Sequence, residues 1–148
     1  MDTIRQQLVD AVVARMQTIS VAGGYETDLG ARVADWPRRF HEDELPALGV
    51  YDLQQQDEKE NIGSRRTVHR LPVQIRIFIS SDTPARELRR MIGDVERAIG
   101  ADQRWGGLAV STWPRQSGYV IPREAFEIAA AAVEVEIEYL TETFNPFQ

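Results

Sequence analysis

From Val133 onward the chain alternates without a break. Val133, Val135, Ile137 and Tyr139 fall on one side of an extended backbone, and Glu134, Glu136 and Glu138 fall on the other. A period of two with β-branched and aromatic residues on one side marks a half-buried antiparallel strand. Wound as a helix, at about 100° per residue, the valines and glutamates would scatter round the cylinder. Burying each of the four apolar side chains is worth about 1.5–3 kcal/mol. The stretch Phe126 to Thr143 (FEIAAAAVEVEIEYLTET) therefore points to a sheet with one closed face. The row of three carboxylates is its unusual feature. Adjacent members stand about 7 Å apart, a spacing that suits a carboxylate acid/base pair. Rows of this kind on a polar sheet face are far more commonly solvated or salt-bridged.

A second stretch complements the first. In Val68 to Ser80 (VHRLPVQIRIFIS), Val73, Ile75, Ile77 and Ile79 share one face, and Gln74, Arg76 and Phe78 share the other. Laid beside the C-terminal strand, Arg76 and Arg70 would come among the three glutamates. Opposite charges on neighbouring strands contribute about 0.2–1 kcal/mol per pair. The two strands are expected to form the centre of the sheet.

Two helices are expected to cover the apolar face. In residues 3–19, Ile4, Leu8, Ala11, Val12, Met16 and Ile19 recur at three- and four-residue intervals, with Asp2 or Thr3 as cap and Gly23-Gly24 as stop. The glycine pair lacks the following Lys-Ser/Thr of a phosphate loop. Asp82-Thr83-Pro84 starts a second helix, Leu88, Met91, Ile92, Val95 and Ile99 form its stripe, and Gly100 ends it. Arg90 and Asp94 stand there as an i, i+4 pair. Ala31–Trp36 and Leu45–Leu53 read as strands, and so do Leu108–Trp113 and Tyr119–Ile121, with a turn at Pro114 and Gly118. The result is an α+β domain, a mainly antiparallel sheet with two helices on one face, and 148 residues make a single domain.

Two segments stand apart. Residues 54–66 (QQQDEKENIGSRR) hold one apolar residue, too few to fix the run by burial, and read as a flexible hairpin tip. Long loops of this kind commonly serve a function, and Arg65 and Arg66 are its candidate contacts with an acidic partner or a phosphate, with a flexible, solvated loop as the rival. The tail, 142–148, carries Phe144 and Phe147, which either fray or dock, on a neighbouring subunit for instance. Trp105, before Gly106-Gly107, reads as packing within core or loop, or as an exposed anchor.

Reactive chemistry is sparse. There is no cysteine, hence no disulfide, thiolate site or cysteine nucleophile. His41 within HEDE lacks the paired histidines of a zinc helix, so no metal site is expected. No nucleophile elbow, P-loop or dinucleotide fingerprint occurs, so no catalytic residue, cofactor or enzymatic activity is assigned. A net charge of −6 argues against a broad duplex-binding surface but is compatible with a channel that nucleic acid passes through. No run approaches the ~20 apolar residues of a membrane span. The start, MDTIRQQLVDAVV, lacks a secretory pattern, so cytoplasmic synthesis is expected.

One resemblance runs through nearly the whole chain. Its pieces, in order, are Gly24-Tyr25, Gly30-Ala31-Arg32-Val33, Leu45-Pro46-Ala47-Leu48 with Val50-Tyr51-Asp52, and Leu71-Pro72-Val73. Then come Ile92 to Gly100 (IGDVERAIG) with Asp102, Trp105-Gly106-Gly107-Leu108-Ala109, the strand ending at Tyr139, and Asn145-Pro146-Phe147. In order and spacing these resemble the tail terminator proteins of long-tailed bacteriophages, the minor tail protein U type, and related neck or tail-completion proteins. The resemblance implies a homohexameric ring that caps the tail tube, ends its polymerisation and joins tail to head. The implied partners are other copies of the chain, the tube protein and a head-completion or connector protein, with DNA only as passing cargo and no membrane. The implied location is the host bacterial cytoplasm during assembly, then the virion tail. Arg65, Arg66, Trp105, Phe144 and Phe147 become candidate assembly contacts. Glu134, Glu136 and Glu138 become a candidate lumen face, with an ordinary solvent face as the rival. A small ligand-binding or adaptor domain is the reading from a different class.

Overall fold

Two fourteen-residue strands carry the architecture. In the computed structural model, which describes residues 1–120 and 129–148, the order is α1 (Ile4–Met16), β1 (Val33–Asp35), β2 (Ala47–Asp52), β3 (Gln56–Lys59), β4 (Arg66–Ile79), α2 (Pro84–Gly100), β5 (Ser111–Val120) and β6 (Ala129–Glu142). The sheet runs β1-β2-β4-β6-β5. β4 and β6 pair along their full lengths, from Arg66 opposite Glu142 to Ile79 opposite Ala129. On its other edge β4 takes β2 over its second half and β3 over its first. Every pairing is antiparallel except β1 with β2. The expected α+β class and central strand pair are therefore what the protein has. Phe126–Ile128 and Ile121, which fell in expected strands, lie outside the described residues.

Alternation sorts the side chains. Leu71, Val73, Ile75, Ile77 and Ile79 of β4 are buried, and so are Ala129, Ala131, Val133, Val135, Ile137 and Tyr139 of β6. In register, Ile77 faces Ala131 and Ile79 faces Ala129. The small partners leave room for α2, which lies over β4 and β6, while α1 lies over β1 and β2. Both helices thus pack on one face, as the stripes predict. α1 begins where Thr3 Oγ1 accepts the Gln6 N–H. It stops at Met16, before the glycine pair, although Ile19 beyond it is still buried. Gly30 passes so close to the end of α1 that an added Cβ would come within 2.5 Å of the Met16 carbonyl oxygen. No helix among the described residues is long and apolar enough to cross a membrane.

Three expectations are corrected. Pro114 and Gly118 do not turn the chain: Ser111 to Val120 is one strand, with a bulge between Pro114 and Gln116. Proline is tolerated there because β5 has no partner on its outer side among the described residues. The polar run 54–66 is not all loop, since Gln56–Lys59 pairs with Thr67–Arg70. Backbone bonding to a long neighbour, rather than burial, fixes that segment: all four β3 residues are exposed. Finally, Asp94 does not face solvent beside Arg90. It is buried, and its carboxylate accepts from the N–H groups of Glu26 and Thr27 and the Thr27 hydroxyl at 2.6–3.1 Å. A helix residue thereby clamps the loop between α1 and β1.

Candidate functional site

The face opposite the helices has no layer of its own among the described residues. At the β2 end it is partly roofed by the segment after β1. Tyr51 donates its hydroxyl to the Pro37 carbonyl at 2.7 Å, Trp36 meets Tyr51 edge-on, and Phe40 packs on Phe78. Gly49 makes room for that roof: a Cβ there would meet the Tyr51 ring at 2.7 Å. Arg76 lies 4.2 Å above Tyr51 and donates to Gln74. It therefore does not join the glutamates, as its alternation had implied, because its register partner on β6 is Ala132.

The acidic row lies on this open face, and it is largely compensated. Arg115, from the bulge of β5, reaches Glu134 at 3.2 Å and Glu136 at 3.7 Å. Arg70 sits 4.0 Å from Glu138 and 3.1 Å from Glu58. Glu134 is buried, while Glu136 and Glu138 keep about a quarter of their side-chain surface. The expected Arg70 contact is present, and Arg115 is the partner that the alternation could not reveal. The row is thus half of a charge ladder. Beside it runs a groove of about 420 Å³, floored by Ala130, Ala132 and Gly118 between Arg76 and Glu134. Trp113, in register with Glu136, stands 58% exposed on the same face.

The far end of the β4–β6 ribbon holds the other candidates. Arg65 and Arg66 are exposed where the hairpin meets β4, and Arg66 pairs with Glu60 at 3.2 Å. The tail neither frays nor runs free. The Thr143 N–H donates to the Arg65 carbonyl, the Glu142 N–H to Gln148, and the Pro146 carbonyl accepts the Ile4 N–H at 2.8 Å. That last bond satisfies one of the unpaired donors at the start of α1. Phe147 is partly covered at 41% exposure. Phe144, at φ 60°, is held wholly in solvent at 102%, and Ile62 on the hairpin tip is equally bare.

Just inside this end, the helix-side face turns polar. His69 Nδ1 lies 2.6 Å from Asp57 Oδ1 and its Nε2 lies 2.7 Å from Thr141 Oγ1. The ring stacks on Tyr139, whose hydroxyl donates to Gln55. Burial pushes the Tyr139 phenol up to about 12. Burial pushes Asp57 up as well, but hydrogen bonds from His69 and Gln55 outweigh it and hold the carboxyl below its usual range. Asp, His and Thr in series are the residue types of a nucleophilic triad. Here Thr141 is buried within β6, and the series fastens β3 to the central strands. Nothing local announces this series, since His69 and Thr141 lie 72 positions apart.

Trp105 is a core residue, not an exposed anchor. It is 2% exposed, donates its indole N–H to Thr112 Oγ1 at 2.8 Å, and carries the Arg15 guanidinium 4.5 Å above its ring. The turn that places it is held by Asp102, which accepts from the Arg104 and Gly106 N–H groups. Those two bonds hold the Asp102 carboxyl below its usual range. Among the described residues no three His, Asp or Glu side chains converge as metal ligands would. No protein-family model matches the chain, and comparison with curated proteins finds no match.

Proposed function

We propose that this protein is a structural part that closes into a ring of identical copies, caps a bacteriophage tail tube, ends its polymerisation and links tail to head. The observation that carries the self-association is the ribbon end. Almost every large apolar side chain of β4 and β6 is buried, yet Phe144 and Ile62 stand bare at the same extremity. A left-handed backbone at a bulky residue is uncommon and costs roughly 1–3 kcal/mol. Here it serves to display a phenyl ring on a tail that is otherwise pinned to its own chain. Ring closure from identical subunits needs two different surfaces on each copy, and a protein with a built knob has one of them. The open face, with cations and carboxylates alternating, suits a wall that DNA passes without being held. The tail-cap assignment itself rests on the resemblance of the chain to the terminator proteins.

Electron microscopy of the purified protein tests the reading, with six-membered rings as the expected result. A particle that stays monomeric at high concentration in light scattering overturns it. Added to a polymerising tube protein, the rings should halt growth. Rings that leave growth unchanged would move the protein to a neighbouring connector role.

A further inference from the structure

The surface that receives the ribbon end can be located on the molecule. At the opposite end of β4, on the open face, Phe40, Leu45 and Phe78 line a groove of about 460 Å³. Arg38 and Arg39 stand on its rim, both exposed, and neither makes an ion pair or hydrogen bond among the described residues. The groove is apolar at its floor, and its edge carries these two cations with one exposed carboxylate, Glu42. The ribbon end offers a bare ring with charges of both signs beside it, Arg65 and Glu142 both being exposed. Phe144 projects from it, the exposed Glu142 lies two residues before, and no cation pairs with Glu142 among the described residues.

We infer that Phe144 of one copy seats between Phe40 and Phe78 of the next, with Arg38 and Arg39 facing Glu142. This rests on the ring reading above and names the contact that closes it. Knob and socket lie on different surfaces of one chain, so the contact is head-to-tail and every copy both gives and receives. Burying a phenyl ring against two others contributes by area and by ring geometry, and the rim charges set partner direction. The spacing also fixes a dimension. Phe78 and the Arg66–Glu142 pair are twelve strand positions apart, about 40 Å at ~3.3 Å per residue. In a planar ring of six, neighbouring sockets are then about 40 Å apart, and so is each socket from the axis.

The test uses the full chain in light scattering and electron microscopy, with circular dichroism as the folding control. Phe144→Asp should remove the ring and leave the monomer's melting curve unchanged, because the side chain is solvent-exposed. Arg38→Glu with Arg39→Glu should weaken assembly at least tenfold in midpoint concentration, and adding Glu142→Arg should restore most of it. Because the chain has no cysteine, Phe144→Cys combined with His41→Cys on the socket wall should oxidise to a covalent ladder of copies. Phe144→Cys alone should give no such ladder. Wild-type rings that survive Phe144→Asp intact would overturn this contact while leaving the ring reading in place. A dominant dimer from Phe144→Cys alone would overturn it too, since knobs would then meet knobs. A wild-type monomer would overturn both.

Discussion

The same two strands build both faces of the sheet, and the faces obey different physics. On the helix side, β4 and β6 present Leu, Val, Ile and Ala to α2, and the contacts are set by shape. On the open side the same register sets Arg70 against Glu138, Gln74 against Glu134 and Phe78 against Ala130. Contacts there are set by charge and by a few edge-on or tilted ring pairs. One sheet thus holds a face fixed by packing back to back with a face fixed by charge. The closed face can fail only by unfolding. The open face and the ribbon end can change with little effect on the fold.

Substitutions should divide along that line. Trp105→Ala removes a buried indole and its bond to the Thr112 hydroxyl, which keeps its own bond to the Gln103 carbonyl, so the cavity should dominate and cost about 3–5 kcal/mol in urea unfolding. A loss below about 1 kcal/mol would place Trp105 outside the core. Asp94→Ala leaves two backbone N–H groups of the 26–27 loop without their acceptor. A loss of about 2–3 kcal/mol is expected, with faster hydrogen exchange at Glu26 and Thr27 as the local signature. On the open face, Arg115→Ala should cost only about 1 kcal/mol, because the guanidinium is 45% exposed and water screens the pair. That cost should shrink in high salt; a salt-independent loss would show that Arg115 works by packing. Trp113→Ser should change stability by less than about 0.5 kcal/mol.

Acid and alkali probe the boundary between the faces. For Asp52, burial raises the pKa, but hydrogen bonds from Trp36 and Arg5 and the Arg5 charge outweigh it and leave the group lowered. Asp57 is lowered as well. Their contributions are present above the unfolded value near pH 4 and are lost as pH falls through the folded values. Tyr139 runs the other way. Its proton is retained to about 12, so its contribution holds below about pH 10 and is lost as pH rises toward 12. Tyr139→Phe should flatten the alkaline limb of the stability profile, and an unchanged limb would show that another group governs it.

Much of the closed face is legible in the sequence. Period-two runs at 73–79 and 133–139 and the apolar stripe of α2 state their burial directly, because their stabilisation comes from their own side chains. The misses share one cause: the stabilising partner lies far along the chain. β3 has no apolar residues to announce it, and it exists because β4 offers an unpaired edge and Arg70 and Arg66 reach Glu58 and Glu60. Asp94 looked like half of a local ion pair but is captured by a loop 67 positions away. Pro114 reads locally as a turn, and only its position at the sheet margin permits a strand. For the candidate contacts, sequence could name Phe144 and Phe147 but could not tell that one is displayed and the other half covered.

The margins of the sheet carry a consequence for how copies can combine. On one side the margin consists of β1, three residues long, and β3, four exposed polar residues; on the other, among the described residues, β5 is interrupted by a proline and a bulge. Strand-to-strand stacking between molecules has no built-in limit, since each added copy offers the next a fresh border. With each of these borders short, charged or interrupted, that unlimited route is suppressed. In the ring proposed above, copy number is then left to side chains whose angles can count.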